Sequence, residues 1–383
     1  MKYVMIFPQF LDPYGVAQRR GGLPTYLWYL GQLVVERGAE AIIVQSAHAP
    51  FDKSWNGLRV VGVAPSWRFA RRHLRLDLYD MALSLIDKTR DVIIFGADHA
   101  SVATGYSRSV SIQHGISWDL PGSYLRDHFL GRLPFVPDWL CKRYTAWRCL
   151  RYFDNCPNRV CVDYNFLNWY RTQITGKPKG NIWVIPNFVD LPKGYCAPLG
   201  RHRNAETVRI IFARRFVEIR GTRLMIEAIH RLLGTGRRFE VCFAGMGPDA
   251  EIIKHAFQNE KCATFQEYAV GNSIAVHEKF HVAVVPSLAS EGTSLSLAEA
   301  MAAGCAVAAS SVGGMTNMII HNYNGLLFEP GEDGLFGALC ELVDNEDKRL
   351  ALAARAAETA REAFTHDRWS CQWREVLDRI QAM

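Results

Sequence analysis

Two doubly wound α/β domains facing one another across a cleft are the architecture this sequence predicts, on three observations. Short apolar runs alternate with helix-length stretches, as parallel sheets covered by helices on both faces require. At 383 residues the chain exceeds one compact α/β unit and suits two of roughly 150–200 residues. A poorly patterned stretch starting at Pro186-Asn187, with Pro192, Gly194, Pro198 and Gly200, interrupts the rhythm near the middle and reads as a linker. The domains expected are 1–190 and 191–366.

Each element follows from local pattern. Tyr3–Phe7 is a short apolar strand, and the loop after it ends in Gly21-Gly22. A helix then runs through Leu30 and Leu33 to about Arg37, where Gly38 stops it. Strands follow at Ala41–Gln45, Val60–Val63, Val92–Phe95, Val110–Gln113, Arg159–Val162 and Trp183–Ile185. The second half is more regular. Strands at Val208–Ala213, Phe239–Ala244, Ala263–Phe265, His281–Pro286 and Ala306–Ala309 alternate with helices at 221–233, 250–257, 272–279 and 293–303. Helices near 333–343 and 347–364 precede a last one from Asp367.

Composition narrows the function. The chain is 49% hydrophobic with 20 Phe, 14 Tyr and 10 Trp, so it can bury a large core and is not a disordered segment. Its net charge of +6 suits anionic partners such as nucleotide phosphates or an acidic membrane. No long Lys/Arg run or nucleic-acid motif accompanies that charge, so no nucleic-acid partner is expected. The ten cysteines form no C-x-x-C pair, and several lie in apolar strands. Free thiols in a reducing cytoplasm are the expectation. The N-terminus lacks the long apolar stretch of a signal peptide, and the one charge-free run of membrane length, 300–320, is broken by Gly, Ser and Asn.

The strongest chemical signal runs from Pro286 to Gly304. A strand ends at Pro286, and the chain re-enters a helix through Gly292, Thr293, Ser294 and Leu295, whose free amides and positive dipole end form a ready site for phosphate or sugar oxygens. Glu299 lies one turn past Leu295 and leans back toward the helix start, where a carboxylate can accept both hydroxyls of a ribose. Glu291, in the loop before the helix, can do the same for a hexose. Gly21 and Gly22 lie between a strand and a helix, so backbone amides there can approach a donor closely. They lack the G-x-G-x-x-G of a nicotinamide enzyme. His114, directly after the strand Val110–Gln113, stands at a carboxyl end facing the cleft, with His99 at a similar edge.

Glu291-x7-Glu299 in this frame resembles the signature of retaining glycosyltransferases of family 4, which have the GT-B fold. Further segments share the resemblance: Gly21-Gly22-Leu-Pro-Thr-Tyr, Ile185-Pro-Asn-Phe-Val-Asp190, Phe243-Ala-Gly245-Met-Gly247-Pro, Val312-Gly-Gly314 and Asn324-Gly325-Leu-Leu. Arg214-Arg215-Phe-Val-Glu-Ile-Arg220-Gly221 is similar to the family's phosphate-binding G-R-L-x-x-x-K-G, with Arg214 in place of the glycine and Arg220 in place of the lysine.

The resemblance implies a nucleotide-sugar donor held by the second domain, with Arg215 and Arg220 as diphosphate cations. On a regular strand neighbouring Arg214 and Arg215 face opposite ways, so one of them reaches the cleft. It further implies His114 and Glu291 at the reaction centre, retention at the anomeric carbon, and a last helix over 367–383 that crosses back to the first domain. The base would lie near Phe265-Gln-Glu267-Tyr268. No D-x-D motif or cysteine cluster is present, so no metal and no cofactor are expected. The alternatives are a sugar-nucleotide epimerase of the same fold and a non-catalytic nucleotide-sugar-binding protein.

The expected acceptor is a glycan or a lipid-linked saccharide, and two segments connect it to an anionic membrane. Trp67–Arg75 interleaves four arginines with aromatic and aliphatic residues and contains no acid. Over Asp138–Phe153 a helical projection gathers Trp139, Leu140, Ala146, Trp147, Leu150 and Phe153 on one arc, with Arg148 and Arg151 outside it. Basic residues beside Trp and Leu suit a membrane interface. The competing reading packs that arc on the first sheet. A cytoplasmic protein, peripheral at the inner face of the membrane, is the resulting expectation.

Overall fold

The computed structural model describes residues 1–19, 21–64, 71–116, 119, 133, 135–200, 203–269 and 271–383, with the side chains of 71–73 left out. Two sheets form the body of the molecule. The first contains β1 (Lys2–Ile6), β2 (Glu40–Ser46), β3 (Phe51–Trp55), β4 (Leu58–Val63), β5 (Val92–Phe95), β6 (Ser109–Gln113), β7 (Asn158–Cys161) and β8 (Asn181–Val184), in the order β3-β4-β2-β1-β5-β6-β7-β8. Only β3 runs antiparallel. The second sheet contains β9 (Val208–Ala213), β10 (Phe239–Ala244), β11 (Ala263–Gln266), β12 (Val282–Val285), β13 (Ala306–Ser310) and β14 (Leu326–Phe328), all parallel, in the order β11-β10-β9-β12-β13-β14.

The central strands read as continuous apolar runs because both faces are covered. Val4 and Ile6 of β1 face one layer while Tyr3 and Met5 face the other, and all four are buried. Helices α1 (Gly22–Glu36), α2 (Arg71–Leu85), α3 (Asp138–Phe153) and α4 (Tyr164–Gln173) belong to the first sheet. The second carries α5 (Thr222–Leu233), α6 (Ala250–Ala256), α7 (Ser273–His277), α8 (Leu295–Ala302), α9 (Glu332–Asp344) and α10 (Glu346–Ala363).

Four elements lie outside the strands and helices read from the sequence, the three-residue β14 among them. β3 alternates half-buried and exposed residues and so lacks an apolar run. Its pairing with β4 rests on Asn56 and Gly57, both at positive φ (45° and 82°), the two-residue turn that Asn-Gly favours. The start of α2 coincides with the arginine-rich run, whose charge hides the helical spacing of Leu74, Leu78 and Ala82. α4 is announced by Asp163, whose side chain accepts from the Phe166 amide at 2.8 Å.

The last helix, α11 (His366–Gln381), returns from the second domain to the first. Its Trp369, Trp373, Val376, Leu377 and Ile380 are buried in the same cluster as Tyr26, Leu30 and Met5. Trp373 donates its indole N–H to the Tyr26 hydroxyl at 2.7 Å, and Arg37 pairs with Asp378. The other crossing runs beside it, with the Val189 amide bonded to the Phe364 carbonyl at 2.7 Å. Among the described residues no helix is long and apolar enough to cross a membrane.

This clasp should contribute heavily to stability. Trp373→Ala removes a fully buried aromatic and orphans the Tyr26 hydroxyl, so chemical denaturation should register a loss of about 3–5 kcal/mol. Tyr26→Phe, which keeps the ring, should lose only about 1 kcal/mol.

Candidate functional site

In open parallel sheets the crevice lies outside the carboxyl ends of the strands, where the strand order reverses direction. The first sheet reverses between β1 and β5, and the second between β9 and β12. The loops leaving these strands carry nearly every residue singled out in the sequence: Gly21 and Gly22 after β1, Arg214, Arg215 and Arg220 after β9, and Glu291 to Leu295 after β12. His114 follows β6, the neighbour of β5.

The Glu291–Thr293 backbone is clamped from both domains. A Cβ on Gly115 would lie 2.7 Å from the Gly292 nitrogen, and one on Gly314 would lie 2.5 Å from the Thr293 nitrogen. Gly115 also takes φ of +127°, which side chains rarely adopt. The Gly314 amide donates to the Glu291 carbonyl at 2.7 Å. Thr293 donates its hydroxyl to the Val162 carbonyl at 3.0 Å and accepts from the Asn187 amide at 2.7 Å. Asn187 and Thr293 therefore tie the I-P-N segment to the loop.

Glu291 is surrounded by donors. Arg214 reaches its carboxylate at 2.9 Å, Ser287 donates at 2.7 Å, and Arg220 closes the other oxygen. Arg214 also donates to Ser287 at 2.9 Å. Burial alone would raise the Glu291 pKa, but the Arg214 and Arg220 guanidiniums overcome it and hold the carboxyl at about 2. Glu291 is thus an anion throughout the physiological range.

The arginine expectation needs one change. Arg214, at the position of the family's glycine, is the buried cation beside Glu291, whereas Arg215 stands exposed. The chain at 214–216 continues beside 244–246, with Arg214 N bonded to the Ala244 carbonyl and Phe216 N to that of Met246. Residue 214 is turned inward as the pairing continues past the end of β9. Arg220 stays at the cleft because the next residue, Gly221, packs so closely that a Cβ would lie 1.8 Å from the Pro286 carbonyl oxygen.

Glu299 has the opposite environment. Burial raises its pKa to about 7, and only the Ser273 hydroxyl, donating at 2.6 Å, works against the shift. It lines a cavity of about 340 Å³ together with Leu295, Ser273, Gly271 and, from the first domain, Trp28, Tyr29 and Trp55. Tyr29 donates to Asp190 at 2.7 Å on the same wall. Gly22 faces this helix start closely, since a Cβ there would lie 3.2 Å from a Leu295 methyl. Neither α1 nor α8 has a side-chain cap, so their first amides remain free for a ligand. Ser294, the residue before α8, is buried.

His114 bonds through Nε2 to the Gly96 carbonyl at 2.9 Å and stands edge-on to Tyr26. A carbonyl only accepts, so Nε2 carries the proton and Nδ1 is an acceptor. Burial lowers its pKa to about 4, which keeps the ring neutral. His99 is 63% exposed by its side chain, and its charge adds to the lowering of the His114 pKa. His277 and His281 have a helical ligand spacing, but His277 bonds to the Ser273 carbonyl at 2.8 Å and His281 accepts from the Arg209 amide at 2.8 Å. Among the described residues no group of three or more His, Cys, Asp or Glu is placed to hold a metal.

Arg214, Ser287, Ser273 and Asn187 were not singled out from the sequence as site residues. Arg214 left a signal there as an arginine where the related motif has glycine, and Asn187 and Ser287 lay inside quoted segments without a role of their own.

Comparisons with known proteins agree with this fold. Residues 207–345 match the family model described as Glycosyl transferases group 1. The two parallel-sheet domains have the GT-B architecture. Sucrose-phosphate synthase from Thermosynechococcus elongatus superposes with a TM-score of 0.73 at 16% identity, covering 100% of this chain and 99% of that one. Anabaena HepE in complex with UDP superposes with a TM-score of 0.71 at 15% identity, covering 99% and 100%. Fold and matched domain together make the chain similar to glycosyltransferases of the GT-B class.

Among curated relatives, the chain is 28% identical over 179 residues to the phosphatidyl-myo-inositol mannosyltransferase of Mycolicibacterium smegmatis, 45% of this chain and 46% of that protein. It is 26% identical over 185 residues to the amylovoran biosynthesis glycosyltransferase AmsK of Erwinia amylovora, 46% of each. The chain thus spans about half the length of the curated relatives it matches.

The Glu299 environment sets a pH dependence. A ribose diol bound there would donate to the ionised carboxylate, so nucleoside affinity should fall as pH drops through about 7, by up to about tenfold per unit. Calorimetric titration with a nucleoside, whose lack of phosphate removes a second titrating group, should show the fall. Glu299→Gln should flatten it.

Proposed function

We propose that this protein transfers a hexose from a nucleoside diphosphate sugar to a glycan or lipid-linked saccharide acceptor, with retention at the anomeric carbon. The observation that carries the reading is the pair of glutamates flanking one uncapped helix start, Glu291 ionised between two guanidiniums and Glu299 buried beside Ser273. Glu299 accepts the ribose hydroxyls, while Gly292 to Leu295 and the Gly21-Gly22 loop supply amides to the diphosphate and sugar. Arg220, with Arg215 at the exposed edge, balances the charge of the leaving group. Glu291 and the His114 Nδ1 acceptor orient the hexose hydroxyls.

In the transfer, the bond from the anomeric carbon to the diphosphate oxygen breaks. The acceptor oxygen bonds to that carbon on the same face, and its proton passes to the departing diphosphate. The step needs neither a covalent enzyme intermediate nor a metal, since fixed cations and amides hold the charge. HepE was solved with UDP and with UDP-glucose, which makes UDP-sugars the first donors to test. The acceptor reading places the first domain at an anionic membrane. Trp139 (62% exposed) and Trp147 (49%) support it, because they do not pack on the sheet. The Trp67–Ala70 half of the basic run lies outside the described residues, as do the side chains of 71–73.

Glu299→Ala should weaken nucleoside diphosphate binding by about 1–3 kcal/mol, measured by titration calorimetry with the fold checked by circular dichroism. Unchanged affinity would overturn the ribose role. Transfer should survive EDTA and be lost in Arg220→Gln. Inactivation by EDTA that magnesium or manganese reverses would refute the metal-independent step. Binding without transfer to any acceptor would instead favour a binding protein, and a changed nucleotide sugar formed without acceptor would favour an epimerase.

A further inference from the structure

A second cavity, of about 430 Å³, opens between α2 and α3, formed by elements other than those that build the donor cleft. Its lining holds three arginines, Arg75 from α2 and Arg148 and Arg151 from α3, together with Tyr144, Trp147 and Tyr152. No carboxylate lines it among the described residues. Three like charges around one hollow repel one another, and an anion removes that repulsion.

The cations are held in place before any ligand arrives. Arg75 lies over the Tyr152 ring at 4.8 Å and donates to the Ser101 carbonyl at 3.4 Å. Arg148 contacts the same ring at 5.5 Å and donates to the Tyr152 hydroxyl at 3.2 Å, while Arg151 covers Trp147 at 4.9 Å. Stacking on a ring face keeps the guanidinium edge open. Although Arg148 uses Nε and Nη2 on the Tyr152 hydroxyl and Arg75 uses Nη1 on Ser101, each arginine retains a terminal N–H group for phosphate. Leu140, Tyr144, Trp147 and Arg151 follow one another on one stripe of α3, so exposed Leu140 and Trp147 continue from the cavity along the helix surface.

We propose that this cavity is a phosphate site, separate from the donor cleft, which takes the headgroup phosphate of an anionic lipid while Leu140 and Trp147 rest in the interfacial layer. The inference deepens the membrane reading above and is independent of the donor chemistry. Phosphate is the shared chemistry of a lipid headgroup and of a soluble phosphate ester; the apolar stripe beside the arginines favours the lipid.

The test uses the full chain with Arg148→Gln, Arg151→Gln and their combination, and Arg151→Lys as the conservative variant. Partition to vesicles of phosphatidylcholine with phosphatidylglycerol is compared with phosphatidylcholine alone, and inorganic phosphate and glycerol 3-phosphate are titrated separately. Wild type should bind only the anionic vesicles, and each lost arginine should weaken partition about fivefold. Arg151→Lys should retain most of the vesicle binding. Loss of phosphate binding in the variants with vesicle partition unchanged keeps the phosphate site and overturns the lipid as its source. Variants that match wild type in both arms overturn the site altogether. UDP titration of every variant reports whether the donor cleft is intact, so failure here is distinguishable from failure of the transferase reading.

Discussion

Everything at the cleft depends on a contact between bare backbones. The Glu291–Thr293 segment passes between Gly115 of the first domain and Gly313-Gly314 of the second, so closely that no Cβ fits at any of the three. That approach fixes where the Glu291 side chain emerges and where α8 begins. It also brings the carboxyl end of β6, with His114, against the carboxyl end of β12. A site assembled from two domains needs one point where their relative position is set to within a fraction of an ångström. Glycine supplies it because backbone amides can then bond across the contact, as Gly314 does to Glu291.

From that point two carboxylates eight residues apart diverge in character. Glu291 is as buried as Glu299, so burial does not separate them. What separates them is charge: two guanidiniums and a hydroxyl address Glu291, and a single hydroxyl addresses Glu299. The first is a fixed anion, able to orient hydroxyls and to hold Arg220 near the path of a leaving group. The second sits where a small change in surroundings alters its protonation. A diol that donates two hydrogen bonds favours the ionised form, so ligand and proton compete for Glu299. Arg214 makes this division sharper than a glycine there could, because its buried guanidinium has no partner as good as Glu291. Removing Glu291 would leave the buried Arg214 guanidinium uncompensated, a loss on the order of 3–5 kcal/mol, whereas removing Arg214 leaves Glu291 still paired with Arg220.

The fold was legible because its signals are local. Parallel strands buried on both faces write continuous apolar runs, and the glycines at 221 and 313–314 mark close approaches that only glycine permits. Elements that depend on partners were harder to see. β3 has one half-buried side and declares itself only through Asn56-Gly57. The inward turn of Arg214 rather than Arg215 depends on pairing that continues past β9 beside Met246, a tertiary fact that strand alternation alone does not provide. The basic aromatic character of α3 was visible, but the cavity it forms was not, since Arg75 reaches it from α2 across a sequence gap of about seventy residues. Ser273 and Asn187 are ordinary polar residues in sequence, and acquire meaning only when Glu299 and Thr293 are beside them.

The two crossings between domains constrain how this site can change shape. Residues 186–190 and the start of α11 lie side by side, bonded through Val189 and Phe364. A rotation about that pair would leave the packing inside both hydrophobic cores intact. Thr293 and Asn187 lie beside this axis, so rotation displaces their hydrogen bonds least. Gly22 and Leu295 face one another across the cleft, and there the same rotation changes the gap between domains directly. A donor lying over Glu299 would touch both sides of that gap. Its binding would then select the angle at which the Gly21-Gly22 amides meet it, and α11, anchored through Trp373 and Tyr26 to the ring beside His114, carries the first domain as one piece.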